Sequence, residues 1–174
     1  MASRDRLTFK DVVAYSLKRA RENLLEFDYF KCENPAFNDY FNNNLTKDDH
    51  DKLGKAFLFA THDRKVIGFI VLSMSQLSKS YHTELGNLTP TNIPALLIRV
   101  MARHTEYRGS GVGTLLKDFA INKALELSEL VGCRLLVLES TEDQIQRYKN
   151  WGFMPIEAEY RNLMFIDLLK LTDN

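Results

Sequence analysis

The sequence predicts an α/β chain: a central mixed sheet flanked by helices. Three observations predict it. Two apolar runs, Lys55–Thr61 and residues 66–75, flank the polar His62-Asp63-Arg64-Lys65 and read as a β-hairpin. Further on, apolar residues 94–102 lead through Arg108-Gly109-Ser110-Gly111-Val112-Gly113 into an amphipathic stretch opening at Thr114, which is strand, glycine turn, helix. Then Leu135-Leu136-Val137-Leu138 is continuously apolar, as in a strand covered on both faces. Strands followed by strand–helix alternation give a mixed sheet.

The elements follow in order. Val12, Val13 and Tyr15 make a short first strand. Residues 20–30 carry Leu24, Leu25, Phe27 and Phe30 in a turn or short helix. Asn34-Pro35 starts a helix, with Asn as N-cap and Pro at the first helical position. Phe37, Tyr40, Phe41 and Leu45 recur at helical spacing. Asn42-Asn43-Asn44 reads as a frayed helix end, and charged residues 47–52 as an exposed turn or helix. After the hairpin, residues 78–93 have no apolar period and form the longest irregular stretch, a length that often marks function. In the long helix, Val112, Leu115, Leu116, Phe119, Leu127, Leu130 and Val131 form one stripe filled by Ala120 and Ala124, and Gly132 ends it. Residues 141–150 read as a second, shorter helix, Trp151-Gly152-Phe153-Met154 as a break into a strand, and residues 161–169 as the last strand.

The chain has 174 residues, 45% hydrophobic and 26% charged, which suits a soluble globular domain with a sizeable core. Lys plus Arg and Asp plus Glu are both 23, so the net charge is zero and gives no global support for nucleic-acid binding. Cys32 and Cys133 lie far apart and read as reduced, buried thiols. The four histidines, His50, His62, His82 and His104, share no ligand spacing, so no metal is expected. The first residues lack the apolar stretch of a signal peptide, and no apolar run is long enough to span a bilayer. A cytoplasmic location without membrane contact is the expectation.

The glycine turn is the chemical centre. Glycines admit positive φ and close backbone approach. Free N–H groups at a helix start, with the helix dipole behind them, hold phosphate oxygens. A dinucleotide fingerprint sits near a chain start and needs an acidic residue about twenty positions on. A nucleoside-triphosphate loop needs Lys before its Ser/Thr. Neither pattern fits a turn past the middle of the chain with Thr114 directly after Gly113.

A second feature narrows the choice. Arg147-Tyr148-Lys149-Asn150-Trp151-Gly152-Phe153 puts a tyrosine on a short helix before a Gly-Phe break. With this element the sequence resembles the GCN5-related N-acetyltransferases, which move acetyl from acetyl-CoA to an amine. Their Arg/Gln-x-x-Gly-x-Gly/Ala signature is matched by Arg108, Gly111 and Gly113, and their later tyrosine and Gly-Phe step by Tyr148, Gly152 and Phe153. The resemblance covers roughly residues 55–168 and implies a single N-acetyltransferase domain over 1–174 with its cofactor-binding core at about 94–156.

The roles implied are these. Gly109, Ser110, Gly111, Val112, Gly113 and Thr114 offer N–H groups to the CoA diphosphate, and Arg108 adds charge at its edge. Met101, Ala102 and Arg103 pair their backbone with the pantetheine arm, and one of their N–H groups steadies the oxyanion. Thr141 stands where many relatives bond the pantetheine. Tyr148 is the acid that protonates the departing thiolate; thiol and phenol pKa values near 8.5 and 10 make that transfer nearly balanced. Glu139 and Glu142 are the nearest acidic groups in sequence, each more readily structural or solvated than a base. His104 falls on the adenine side.

The acceptor is read as a primary amine of a small molecule or a protein. The alternative comes from the N-terminal half. Phe30-Lys31-Cys32, the Phe37/Tyr40/Phe41 helix, Val66-Ile67-Gly68-Phe69 and Ile93-Pro94-Ala95 resemble the acetyltransferase toxins of toxin–antitoxin pairs, which acetylate the α-amine of aminoacyl-tRNA. That reading implies an antitoxin protein and tRNA as partners and a local basic patch from Arg99, Arg103, Arg134, Arg147, Lys149 and Arg161. The chain departs from those toxins at Arg99-Val100-Met101-Ala102-Arg103-His104, where the arginine before the turn is displaced by one position. A non-catalytic acetyl-CoA sensor is the alternative of another class. Homodimers are common in the family, and residues 163–169 are apolar enough for an interface or for a core strand.

Overall fold

A computed structural model describes residues 6–157 and 162–172. Its strands are β1 (Val12–Ser16), β2 (Lys55–Thr61), β3 (Val66–Ser78), β4 (Asn92–Arg103), β5 (Leu135–Glu139), β6 (Met154–Pro155) and β7 (Leu163–Asp167). They form one sheet in the order β1-β2-β3-β4-β5-β7-β6. β4 and β5 are parallel, whereas β1–β2, β2–β3, β5–β7 and β6–β7 are antiparallel. The helices are α1 (Leu17–Glu22), α2 (Pro35–Asp39), α3 (Leu45–His50), α4 (Val112–Val131), α5 (Ile145–Asn150) and α6 (Leu169–Thr172). The mixed α/β class is the one expected. No helix among the described residues is long and apolar enough to cross a membrane.

The chain divides into two compact units, each with its own core. The first comprises Met1–Leu72 and Val100–Phe119. Its centre is a ring cluster: Phe30 and Phe41 lie 4.6 Å apart, Phe41 and Phe69 5.0 Å, Phe30 and Phe69 5.2 Å. Offset and edge-on rings at such distances add to area burial. The start of α4 is pressed onto β2 and β3. Phe119 takes Phe57 and Phe59 at 4.8 and 5.2 Å. A Cβ on Gly68 would meet Val112 Cγ1 at 2.9 Å and Leu116 Cδ1 at 3.3 Å, so only glycine lets β3 run this close beneath the helix. That approach fixes the level at which the glycine turn stands.

The second unit comprises Ser73–Arg99 and Ala120–Asn174, with Leu77, Ile93, Ala95, Leu135, Val137 and Phe165 in its core. The irregular stretch after β3 is fastened rather than loose. Leu85 is buried, the Thr83 N–H and hydroxyl both donate to Glu157, and the Glu157 N–H donates to the Tyr81 carbonyl. Burying Leu85 and pairing its flanks satisfies backbone groups that a free loop leaves to water.

Several sequence expectations change. Asn42-Asn43-Asn44 is no frayed end. Tyr40–Asn44 is a π-helical turn running on into α3, closed by the Leu45 N–H donating to the Tyr40 carbonyl. Phe41 and Leu45 are buried there, and their burial outweighs the weak helix propensity of asparagine. β3 runs on to Ser78, beyond the expected end, and β7 is shorter than expected, with α6 following it. β7 lies between β5 and β6, which makes it a core strand. The apolar stripe of α4 is buried only in its earlier turns: Leu130 and Val131 are 78% and 69% exposed. Cys32 and Cys133 are free and buried, and desolvation pushes both thiols up, away from reactivity. Arg161 lies outside the described residues.

Candidate cofactor site

In the first unit the site is built from the end of β4 and the turn that follows. The parallel register with β5 ends at Ile98 opposite Leu138, yet β4 continues to Arg103. Met101, Ala102 and Arg103 therefore lie beyond the last β5 partner. Past the strand, a 3₁₀ turn at Thr105–Tyr107 leads into Arg108 and the glycines. Gly109 and Gly111 have φ of 80° and 90°, values side-chain-bearing residues rarely adopt. These two left-handed steps reverse the chain into α4.

The turn's N–H groups are not equivalent. The Ser110 N–H donates to the Tyr107 carbonyl and the Thr114 N–H to the Gly111 carbonyl. Ser110 is buried and its hydroxyl also donates to the Tyr107 carbonyl, at 2.6 Å. The N–H groups of Gly109, Gly111, Val112 and Gly113 have no acceptor among the described residues. Four of the six N–H groups of residues 109–114 are thus open among the described residues. They sit at the positive end of a 20-residue helix, where an anion is favoured.

Around the turn, distant residues supply support that the sequence did not disclose. Glu33 accepts from Arg103 at 3.2 Å and stands 3.6 Å from Arg108. Arg103 is largely buried, whereas Arg108 is 79% exposed and only loosely held. His104 is buried; its Nε2 bonds the Tyr29 carbonyl at 2.8 Å and its Nδ1 accepts the Glu106 N–H. These partners assign the neutral tautomer with the proton on Nε2. His104 is therefore an anchor for the turn. The Tyr29 hydroxyl donates to Glu106 at 2.7 Å, and that bond, with burial, raises the phenol pKa far above its usual value. Glu33 and Tyr29 stand some seventy residues before their partners in sequence, so no local pattern marks them.

The second unit carries the other expected residues. Thr141 follows β5, is exposed, and stands at the N-cap position of the 3₁₀ turn Glu142–Gln144 without a side-chain capping bond. Glu139 and Glu142 are both exposed. Tyr148 on α5 packs edge-on against Trp151 and Phe153 at 5.6 and 5.9 Å. Gly152, at φ 91°, turns the chain so that the Phe153 N–H reaches the Tyr148 carbonyl. The Tyr148 ring is half-buried, and desolvation raises its pKa, with Asp143 adding to the rise and Arg147 opposing it. Its hydroxyl has no hydrogen-bond partner among the described residues. A phenol that is proton-bearing and unpaired suits proton donation.

The expected basic patch is partly spent on structure. Arg134 forms a bidentate pair with buried Asp167, Nε at 2.6 Å and Nη2 at 2.8 Å. Arg147 lies over the Trp151 ring at 5.0 Å. Lys149 and Arg99 are exposed.

The chain matches the acetyltransferase (GNAT) family over residues 19–153. Compared with curated proteins by sequence, it matches none. Among solved structures it is similar to AtaT complexed with acetyl-methionyl-tRNAfMet, at 23% identity over 93% of this chain and 98% of that chain, with a TM-score of 0.84. It is similar to a mutant of KacT at 18% identity, 94% and 98% coverage and a TM-score of 0.85. It is also similar to AtaTR bound with AcCoA at 22% identity, 94% and 97% coverage and a TM-score of 0.76. At these identities the likeness establishes the fold.

Proposed function

The chain belongs to the acetyltransferase (GNAT) family, and from that premise we propose that it transfers acetyl from acetyl-CoA directly to the α-amine of an aminoacyl-tRNA. The observation that carries the choice of acceptor is the correspondence, nearly end to end in both chains, with AtaT complexed with acetyl-methionyl-tRNAfMet. Chemistry supports the same choice. An α-amine has a pKa near 8 and is partly neutral at pH 7, whereas a lysine amine near 10.4 is almost wholly protonated. Glu139 and Glu142 are solvated, and an acceptor that needs little help to lose its proton suits such a site.

In this reading the four open N–H groups of the turn hold the CoA diphosphate, and Arg108 faces it from the edge. The pantetheine arm pairs with the β4 backbone beyond Ile98, as a strand pairs with a strand. The amine lone pair attacks the thioester carbonyl carbon, and an N–H from residues 101–103 stabilises the oxyanion. The intermediate collapses with loss of the C–S bond. The attacking nitrogen releases a proton to solvent, the Tyr148 hydroxyl gives one to the thiolate, and the phenolate left behind recovers one from solvent. Thr141 bonds the pantetheine amides. In this reading an antitoxin protein is the expected further partner.

The test incubates the protein with labelled acetyl-CoA and separate pools of charged tRNA, free amino acids and lysine peptides. Acetyl-aminoacyl-tRNA as the main product is the expected result. Label passing only to free amines or peptides overturns the acceptor, and cofactor binding without turnover on any pool overturns the reading of the chain as an enzyme.

A further inference from the structure

The segment before β1 lies on the glycine turn. The Leu7 N–H donates to the Ser110 carbonyl at 2.8 Å. A Cβ built on Gly111 would stand 3.0 Å from Arg6 Cγ, 3.5 Å from Arg6 Nε and 3.4 Å from the Leu7 carbonyl oxygen. Gly111 thus has a second reason to be glycine besides its φ of 90°: the stem of Arg6 crosses the space a side chain would fill. A guanidinium is in this way tethered beside the N–H groups that have no acceptor.

The open N–H groups of Gly109, Gly111, Val112 and Gly113, together with the α4 dipole, present positive potential. Arg108, the turn's own cation, has Glu33 beside it, a carboxylate it shares with Arg103. Arg6 has no carboxylate partner among the described residues. A guanidinium held beside like-signed dipoles favours an anion there.

We propose that Arg6 is a further cofactor-binding residue, its guanidinium joining the turn's N–H groups on the diphosphate of CoA. The proposal rests on the acetyl-CoA reading of this turn. It places a phosphate contact about a hundred residues before the glycine signature, on a segment no motif marks. Charge-assisted bonds from guanidinium to phosphate are among the stronger ones, which makes the contribution measurable.

Three ligands separate the sources of the contact: CoA, dephospho-CoA, which lacks the 3′-phosphate, and pantetheine, which lacks the diphosphate. Each is titrated into the full chain, Arg6→Gln and Arg6→Lys by calorimetry, with thermal melting as a check on folding. Arg6→Gln should weaken CoA and dephospho-CoA alike by about tenfold and leave pantetheine unchanged, while Arg6→Lys recovers part of the loss. A loss confined to CoA moves the guanidinium to the 3′-phosphate and overturns the assignment. Equal losses for all three ligands, or tighter CoA binding in Arg6→Gln, overturn it as well, the first indicating a structural role and the second an obstructing one. If the parent chain binds CoA and Arg6→Gln binds it equally well, this proposal alone falls. If the parent chain binds none of the three ligands, the acetyl-CoA reading falls and takes the proposal with it.

Discussion

The imidazole of His104 lies flat on the phenol of Tyr29, ring centroids 4.5 Å apart and planes within 1° of parallel. The stack joins the loop after α1 to the end of β4, immediately before the glycine turn. Both ring nitrogens are engaged, one by the Tyr29 carbonyl and one by the Glu106 N–H. His104→Leu keeps an apolar body but leaves that carbonyl and that N–H unpaired. It should cost about 2–3 kcal/mol in urea unfolding. The phenol of Tyr29 adds a pH signature. Its folded pKa is raised, so its contribution is present below the unfolded value near 10 and is lost as pH rises past it. Tyr29→Phe should therefore flatten the loss of stability measured at alkaline pH.

Tyr148→Phe removes only a hydroxyl that no described residue engages, so folding should be intact. If that hydroxyl is the proton donor, kcat should fall about a hundredfold to a thousandfold while the affinity for CoA is unchanged. Because burial raises this pKa, the parent kcat should not begin to fall on the alkaline side until above the ordinary phenol value of about 10. Steady-state rates across pH, with CoA binding measured separately, check both statements.

The two turn glycines differ in a useful way. Both have positive φ, so alanine at either position is strained by about 1–2 kcal/mol. A Cβ on Gly109 meets nothing within 4 Å, but one on Gly111 meets the Arg6 stem at 3.0 Å. Gly111→Ala should be the more destabilising of the two in thermal melts, and it should lose more affinity for CoA.

Asp167 is 7% exposed at its side chain and receives both Nε and Nη2 of Arg134. Its Oδ1 also accepts the Leu169 N–H. Asp167→Ala removes the bidentate pair and the acceptor of the Leu169 N–H, and should cost about 2 kcal/mol in denaturant unfolding. The pair belongs to the second unit's packing, so kcat of the folded variant should match the parent. A drop in kcat at full folding would return Arg134 to the acceptor-binding surface.

Much of this was legible in the chain. Period-two and period-3.6 patterns report which face of an element is buried, and they gave β1, β2, β4, β5 and α4 within a few residues. Asn34 and Gly132 marked a helix start and a helix end because capping and positive φ are local requirements. Asn42-Asn43-Asn44 misled because local propensity there opposes the burial of Phe41 and Leu45, which depends on residues far along the chain. Leu130 and Val131 misled in the opposite sense: the stripe continues in sequence after the surface it packs on has ended.

By itself the sequence determined the fold class, the family signature at Arg108, Gly111 and Gly113, and the tyrosine with its Gly-Phe break. These are encoded locally, by spacing and by the few residues that tolerate a given backbone. Only the tertiary structure decided which N–H groups of the turn remain open, that Arg134 is committed to Asp167, and that His104 is an anchor held by Tyr29 and Glu106. It also brought Arg6 onto Gly111. Each depends on groups far apart in the chain meeting within hydrogen-bond or van der Waals distance, and such meetings leave no periodic trace in a sequence.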